Sequence, residues 1–313
     1  MVYTVTLNPA LDYVMSLGSL EKGTVNRSRG EEIYFGGKGL NVSAVLGELG
    51  VPSLALGFAA GFVGEEIISR AEAAGIQTDF VRLERGNSRI NVKIRAEEET
   101  EINGGGPEIS DAAIEELFAK MDRLHKGDTL VLAGSVPPSL PEDIYERILR
   151  RLSGRGIRFA VDAAGALLIN SLGYEPFLIK PNLSELGGIC GHIPQTNEEI
   201  IDCARGLQRK GAKNVLVSMD EKGSILADSE GNIHVMGALS GEAVNSVGAG
   251  DSMVAGFIAG YESSGDHRQA LELGTAAGAA TAFSAGLARR GEIMEQLERL
   301  RKEPNAYYCN IKS

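Results

Sequence analysis

Apolar residues recur along this chain with two alternating periods, short and helical. Val2–Leu7 is rich in β-branched residues and reads as a strand. Leu40, Val42, Val45, Leu46 and Leu49 then follow helical spacing, and Gly50 and Pro52 stop that helix. Ser53–Phe58 reads as a buried strand, and Gly64–Ala74 as a helix ending at Gly75. From residue 110 the alternation becomes regular. The pattern predicts helices at Asp111–Leu124, Glu142–Leu152 and Asn197–Lys210, the last opened by a capping box of Thr196 and Glu199. Between them it predicts strands at Thr129–Leu132, Ile157–Val161, Phe177–Ile179 and Asn214–Ser218. Ser224–Ala227 and Ile233–Met236 are close enough to pair as a hairpin, and Ala249–Tyr261, His267–Ala285 and Glu292–Arg301 complete the helices. Such alternation implies a mostly parallel sheet covered on both faces. No internal repeat or linker divides the chain, so residues 1–313 are expected to form one α/β domain.

One segment breaks the pattern. In Ser88–Arg95, Ile90, Val92 and Ile94 alternate with Arg89, Asn91, Lys93 and Arg95, which is a strand with one apolar and one basic, polar face. A second short strand is expected at Thr100–Asn103, after the acidic Glu97–Glu99 turn. Either a solvated hairpin or a small sheet lying over a site fits this pattern.

Composition narrows the function classes. The net charge is −11, with no basic run, so nucleic acid and anionic membranes are poor partners. Cys190, Cys203 and Cys309 are an odd set without CxxC spacing, consistent with a reducing compartment and inert thiols. His125, His192, His234 and His267 are scattered, which argues against a dedicated zinc site. The amino terminus lacks a signal-like basic and apolar pattern, and Leu273–Ala288 is too short and weakly apolar to span a bilayer. A cytoplasmic location is therefore expected. Glycine is the anomaly: 40 of 313 residues, or about 13%, against about 7% typically. Backbone must bend or approach something closely at many points.

Two glycine-rich turns open helices where a parallel sheet binds ligands, outside the carboxyl ends of its strands. They are Gly36-Gly37-Lys38-Gly39-Leu40-Asn41 and Gly248-Ala249-Gly250-Asp251. Free N–H groups and the helix dipole make such turns anion sites. Neither is a Walker loop, since Gly39 follows Lys38, and neither is a dinucleotide fingerprint, since Met253 stands where a third glycine is needed. Asp251 falls in the first helical turn behind two glycines. A carboxylate there either stabilises the helix end or acts as a general base beside an anion hole, as phosphoryl transfer requires.

With these residues in view, the chain resembles the ribokinase-like (PfkB) family of carbohydrate kinases along nearly its whole length. Phe35–Asn41 and the run Asn245-Ser246-Val247-Gly248-Ala249-Gly250-Asp251-Ser252-Met253-Val254-Ala255-Gly256-Phe257 carry the resemblance. Many members have Asp-Thr-Thr before Gly-Ala-Gly-Asp. The Asn245-Ser246-Val247 found here, with Thr6-Leu7-Asn8-Pro9-Ala10-Leu11-Asp12, resembles the hexose-phosphate kinase branch. The resemblance implies a three-layer α/β/α sandwich with a mostly parallel sheet and a small β-sheet lid, its strands drawn from about 9–16, 30–36 and 88–103. It implies ATP and Mg²⁺ as cofactors and a phosphorylated hexose as substrate. Fructose 1-phosphate, converted to fructose 1,6-bisphosphate, is the first expectation and tagatose 6-phosphate the alternative. A plain sugar or nucleoside kinase and a non-catalytic sugar-phosphate sensor are the remaining rivals.

The resemblance also implies roles for individual residues. Asp251 matches the catalytic base, and Gly248, Ala249 and Gly250 the anion hole. Asp12, Gly37 and Asn41 match sugar contacts, and Asn91 and Ser135 join them as substrate-site candidates. Arg27 and Arg89 fall where this branch places phosphate-binding arginines, with Lys38 adding charge nearby. On the nucleotide side the candidates are Lys180, Asn182, Glu185, Ser218, Asp220, Gly223 and Val247, with Gly250 shared. Glu185 would act on the metal through water. Gly104-Gly105-Gly106 could hinge the lid, and the lid would close over the sugar and join two copies as a homodimer.

Overall fold

The computed structural model describes residues 1–244 and 247–302, and the backbone of 307–308; Asn245, Ser246 and Cys309 lie outside the described residues. The chain begins with β1 (Val2–Thr6), β2 (Ala10–Ser16), β3 (Gly30–Gly36), α1 (Lys38–Glu48), β4 (Ser53–Ala60) and α2 (Gly61–Ala73). Short strands β5 (Gln77–Thr78) and β6 (Val81–Leu83) precede β7 (Arg89–Arg95) and β8 (Glu99–Asn103). Next come α3 (Asp111–Met121), β9 (Thr129–Ala133), α4 (Ile144–Leu152), β10 (Arg158–Asp162), α5 (Gly165–Ser171), β11 (Leu178–Ile179), α6 (Leu183–Cys190) and α7 (Asn197–Arg209). The chain closes with β12 (Asn214–Ser218), β13 (Ser224–Ala227), β14 (Ile233–Met236), α8 (Ala249–Ser264), α9 (His267–Ala282), α10 (Arg290–Lys302) and β15 (Tyr307–Tyr308).

The main sheet runs β15-β14-β13-β12-β11-β10-β9-β1-β4-β5, with β6 also paired to β4. Neighbours from β12 to β5 are parallel, while β13, β14 and β15 add antiparallel pairs at one edge. Parallel strands buried on both faces read as continuous apolar runs, and the Leu130-Val131-Leu132-Ala133 run of β9 shows why. Leu130 and Leu132 enter one core cluster with Leu117, Ile148 and Leu207 of α3, α4 and α7. Val131 and Ala133 enter the opposite one with Val45, Phe257, Leu271 and Leu300 of α1, α8, α9 and α10. This is the expected three-layer α/β/α sandwich.

Part of the glycine excess is spent between α8 and α9. A Cβ on Gly256 would lie 2.5 Å from the Leu273 carbonyl oxygen, and one on Gly260 2.7 Å from Ala270 Cα. The two helices therefore meet backbone to backbone, which holds the start of α8 fixed against the sheet. The Thr196 cap forms in part: its hydroxyl accepts from Glu199 N–H at 3.2 Å, but the Glu199 carboxylate accepts from Gln195 N–H instead of returning to Thr196. Helices α5 and α6 were not anticipated; both are short and glycine-bearing, with too few turns to show a period.

A second sheet, ordered β3-β2-β7-β8, stands at the carboxyl edge of the first. Leu11, Ile33 and Phe35 anchor it on Val63, Ile67 and Ile68 of α2. Ile90 and Ile102, on the same face but beyond the reach of α2, stay exposed. Gly104–Gly106 are packed at its base: Asn8 Nδ2 donates to the Gly105 carbonyl at 3.2 Å, and a Cβ on Gly106, at φ +95°, would lie 2.4 Å from Asn8 Oδ1.

Candidate active site

Strand β1 ends at Thr6, and the start of α1 is folded tightly over it. Leu40 N–H donates to Thr6 Oγ1 at 3.1 Å, and a Cβ on Gly39 would lie 2.7 Å from the Val5 carbonyl. Gly37, at φ +130°, makes the bend. The loop thereby delivers Lys38 and Asn41 to the carboxyl edge of the sheet. From the other side α8 delivers Asp251, with Gly248 as its left-handed N-cap at φ +83° and, among the described residues, no side-chain cap. Asn41 Nδ2 donates to Asp251 Oδ2 at 2.8 Å, so the two glycine turns, 210 residues apart in sequence, join at one hydrogen bond.

Asp251 is 5% exposed. Burial, reinforced by the nearby Asp162 carboxylate, pushes its carboxyl up to about 6, against the opposing pull of Lys38, Asn41 and Lys180. A carboxylate tuned into that range can exchange a proton near neutral pH. Asp162 itself was missed by the sequence reading. It ends β10, is 1% exposed, and is flanked by Lys38 Nζ at 3.2 Å and Lys180 Nζ at 3.3 Å. Burial works against its ionisation, but Lys180 and Lys38 outweigh that and hold it below the usual carboxylate range. Burial lowers the Lys38 ammonium, but Asp162 and Asp251 together leave it raised. Two lysines and two carboxylates thus form one compensated cluster beneath the start of α8. The signal for Asp162 was its place, an acid at the carboxyl end of a parallel strand, where ligands bind.

The cluster opens into a cleft of about 1350 Å³, walled on one side by the second sheet and lined by Asn8, Asp12, Gly36, Gly37, Lys38, Asn41, Arg89, Asn91, Ser135, Val247, Gly248 and Asp251 among others. Register explains the sheet's share of that wall. Asp12 of β2 lies opposite Asn91 of β7, and Asn91 Nδ2 donates to Asp12 Oδ1 at 2.8 Å. Arg89 donates from Nε to the Asn8 carbonyl at 3.1 Å and makes no ion pair among the described residues. Burial lowers its guanidinium, partly offset by Asp12, without removing its charge. A half-buried, unpaired guanidinium facing a cleft has the chemistry to receive an anion.

The structure does not bring Arg27 into this cleft. It lies exposed on the long connection between β2 and β3, beyond the strand ends that set the register. The cations that do line the cleft include Lys93 and Arg95, from the polar face of the alternating strand, and Arg70 and Arg289, which no sequence pattern singled out.

The nucleotide candidates gather next door. Lys180 is pressed against the first turn of α8, its Nζ 3.0 Å from where a Gly250 Cβ would be. Asn182 bridges to Ser218 in parallel-strand fashion. Asn182 and Glu185 form a full capping box on α6: Glu185 N–H donates to Asn182 Oδ1 at 2.8 Å, and Asn182 N–H to Glu185 Oε2 at 2.9 Å. That structural duty commits one carboxylate oxygen. A single acid with one oxygen engaged suits a Mg²⁺ that keeps its waters, and does not suit direct multi-ligand coordination. Asp220, at φ +49°, and Gly223, at φ +94°, shape the turn after β12, where a Gly223 Cβ would lie 2.0 Å from the Met236 carbonyl oxygen. Elsewhere the fold brings the distant His234 and His267 to Asp228, but Asp228 already accepts from Glu230 and Asn232 N–H, Asn232 Nδ2 and His234 Nε2, which makes it a turn clasp.

A parallel sheet with a buried, tuned acid at the start of a glycine-capped helix, facing a cleft that holds an unpaired guanidinium, is an arrangement compatible with phosphoryl transfer. The chain belongs to the pfkB family of carbohydrate kinases, whose pattern (pfkB family carbohydrate kinase) matches residues 5–292. It is 42% identical over 297 residues to the 1-phosphofructokinase of Bacillus subtilis strain 168, covering 95% of this chain and 97% of that protein. It is 36% identical over 288 residues to the D-tagatose-1-phosphate kinase of Bacillus licheniformis, covering 92% and 94%. The solved structure of Arabidopsis thaliana ribokinase complexed with ribose and ATP superimposes with a TM-score of 0.78 at 20% identity, covering 95% and 98%, which shows the shared fold. The protein is therefore a kinase. Among the described residues no helix is long and apolar enough to cross a membrane.

Proposed function

We propose that this protein transfers the γ-phosphoryl group of ATP, with Mg²⁺, to the C6 hydroxyl of fructose 1-phosphate, giving fructose 1,6-bisphosphate. The observation that carries the reading is Asp251: buried, held by Asn41, tuned up to about 6, and placed at the start of α8 over the cleft. Asp251 accepts the hydroxyl proton as the sugar oxygen attacks in line. The Ala249 and Gly250 N–H groups, at the positive end of α8, stabilise charge on the moving phosphoryl group. Lys38 and Lys180, compensated by Asp162 before substrate arrives, offer positive charge to the nucleotide and sugar phosphates. Asn182 and Glu185 would hold the metal's water shell, and the metal would neutralise charge on the nucleotide phosphates. At the other end of the cleft Asp12 and Asn91 receive sugar hydroxyls and Arg89 the sugar phosphate.

The choice of sugar rests on relatives. The curated relatives include 1-phosphofructokinases and D-tagatose-1-phosphate kinases. The second reading is therefore tagatose 1-phosphate, in place of tagatose 6-phosphate. It is the C4 epimer of the first substrate, with the phosphate and the acceptor hydroxyl at the same ends. Phosphorus NMR of the product tests the reaction itself: fructose 1-phosphate, ATP and Mg²⁺ should yield a second ester resonance at C6. ADP release with no new sugar ester would defeat the proposal.

The exposed Ile90 and Ile102 of the second sheet, 39% and 59% exposed, support a homodimer formed through that face. Replacing both by Lys should convert a dimer to a monomer in analytical ultracentrifugation; a wild-type monomer at micromolar concentration would refute this. A reaction that consumes ATP fits a cytoplasmic location.

A further inference from the structure

We infer that Lys93, on the polar face of the alternating strand, is a positioning residue of the sugar site: its ammonium holds Asp12 ready for a sugar that itself carries negative charge. This rests on the reading of Asp12 as a sugar-binding carboxylate.

The register of three strands builds the arrangement. Asp12 lies opposite Asn91, and Lys93, two residues further along β7, shares the same face and lies opposite Glu101 of β8. The two Asp12 oxygens are divided between these donors. Asn91 Nδ2 reaches Oδ1 at 2.8 Å, and Lys93 Nζ reaches Oδ2 at 3.3 Å. Glu101 Oε1 stands 3.6 Å from the same ammonium, on its outer side. Lys93 and Asp12 are 12% and 14% exposed, whereas Glu101 is 43% exposed. The inner pair is therefore the less screened of the two, and the outer carboxylate the more easily released.

This has two consequences for a phosphorylated sugar. A bare carboxylate in the cleft wall would repel an incoming phosphate dianion, and Lys93 cancels that repulsion. The paired grip of Asn91 and Lys93 also fixes the plane of the Asp12 carboxylate, so its remaining lone pairs face one direction. Asn91 is 6% exposed, and its Oδ1 has no hydrogen-bond partner among the described residues. Its amide is spent on Asp12, so Asn91 acts here by holding the carboxylate, and Asp12 is the acceptor whose orientation Asn91 and Lys93 set together.

Lys93→Met, which keeps most of the aliphatic stem, tests this with steady-state kinetics on fructose 1-phosphate. The expected result is a KM for the sugar phosphate raised about 10–100-fold, with kcat within about threefold and the KM for ATP unchanged. Lys93→Arg should recover much of the loss. Glu101→Gln, which removes only the outer partner, should leave the sugar KM unchanged or lower it. An unchanged sugar KM in Lys93→Met would overturn the inference. So would a loss shared equally by sugar KM, ATP KM and melting temperature that Arg does not rescue, or one that Glu101→Gln reproduces, since each assigns Lys93 to holding the hairpin together. Asp12→Asn separates the two levels. If it leaves the sugar KM unaltered, the sugar-site reading itself fails; if it raises KM while Lys93→Met does not, the Lys93 inference alone fails.

Discussion

Replacing Asp251 by Asn separates chemistry from stability, because the structure predicts opposite signs for the two. The ionised carboxylate is held in a site that raises its pKa from 3.8 to about 6, burial being the largest cause. About two pH units correspond to roughly 3 kcal/mol of penalty on the charged form. The sign follows from linkage. A carboxyl whose folded pKa is raised contributes stability below its unfolded pKa, near 4, and that contribution is lost as pH rises through about 6. At pH 8 wild type therefore bears the whole penalty and the Asn variant bears none. Asn at this position still offers an oxygen to Asn41, so the 2.8 Å hydrogen bond survives. The pull of Lys38 and Lys180 is already contained in that net rise, and the buried Asn amide keeps part of the desolvation cost, which trims the gain. The expected net effect is about 1–3 kcal/mol of stabilisation at pH 8. For a chain of 313 residues that is a rise of roughly 2–5 °C in melting temperature. The gain should vanish below about pH 4. Over the same comparison kcat should fall by about 10²–10⁴, the usual worth of a general base. In wild type the acid limb of kcat/KM should have its midpoint near pH 6, and the variant should lack that limb. Calorimetry and pH-resolved kinetics on the same two proteins check both signs. A variant that is less stable at pH 8, or that keeps kcat within tenfold, would refute the reasoning.

Other substitutions probe the neighbouring parts. Asp162→Asn should lower melting temperature and kcat together, because it leaves two buried or half-buried lysines without their shared carboxylate; a rise in stability would contradict the compensated cluster. Arg89→Ala should raise the KM for the sugar phosphate tenfold or more while the KM for ATP stays constant, read from paired saturation curves. Gly250→Ala should fold, since the contact at 3.0 Å is the mobile end of Lys180, yet lose at least tenfold in kcat by displacing that ammonium from the anion hole. Gly223→Ala should destabilise by about 2 kcal/mol or more in urea titration, since a Cβ at φ +94° would strike the Met236 carbonyl.

The parts of the site legible in the sequence were those with local constraint. Gly37, Gly39 and Gly248 stand where backbone must bend or approach closely, so residue type and spacing reveal them before any contact is known. The Ser88–Arg95 alternation likewise announced a sheet with one polar face, because a period of two survives without tertiary context. Asp162 left no such trace. It is one acid at a strand end, and its meaning comes from Lys38, which lies 124 residues away, and from Lys180 at the end of the adjacent strand, both of which reach it only through the parallel sheet. The partner of Lys93 was hidden for a similar reason: β2 and β7 pair in parallel 79 residues apart, and only that register gives it Asp12. Asn182 and Glu185 were found as a ligand motif but not as a helix cap, since α6 is too short for periodicity to show. Arg27 stands apart from the cleft of its own chain. Its expected role came from position in a motif alone, and the exposed loop that carries it does not reach the cleft within one chain.

The central claim is that this cleft phosphorylates a hexose already carrying a phosphate, with fructose 1-phosphate preferred. The direct measurement is kcat/KM, with ATP and Mg²⁺ saturating, for fructose 1-phosphate, tagatose 1-phosphate, fructose 6-phosphate and free fructose on one enzyme preparation. Fructose 1-phosphate should lead the panel, with tagatose 1-phosphate next and free fructose at least a thousandfold lower. Free fructose equal to or better than its 1-phosphate would contradict the account.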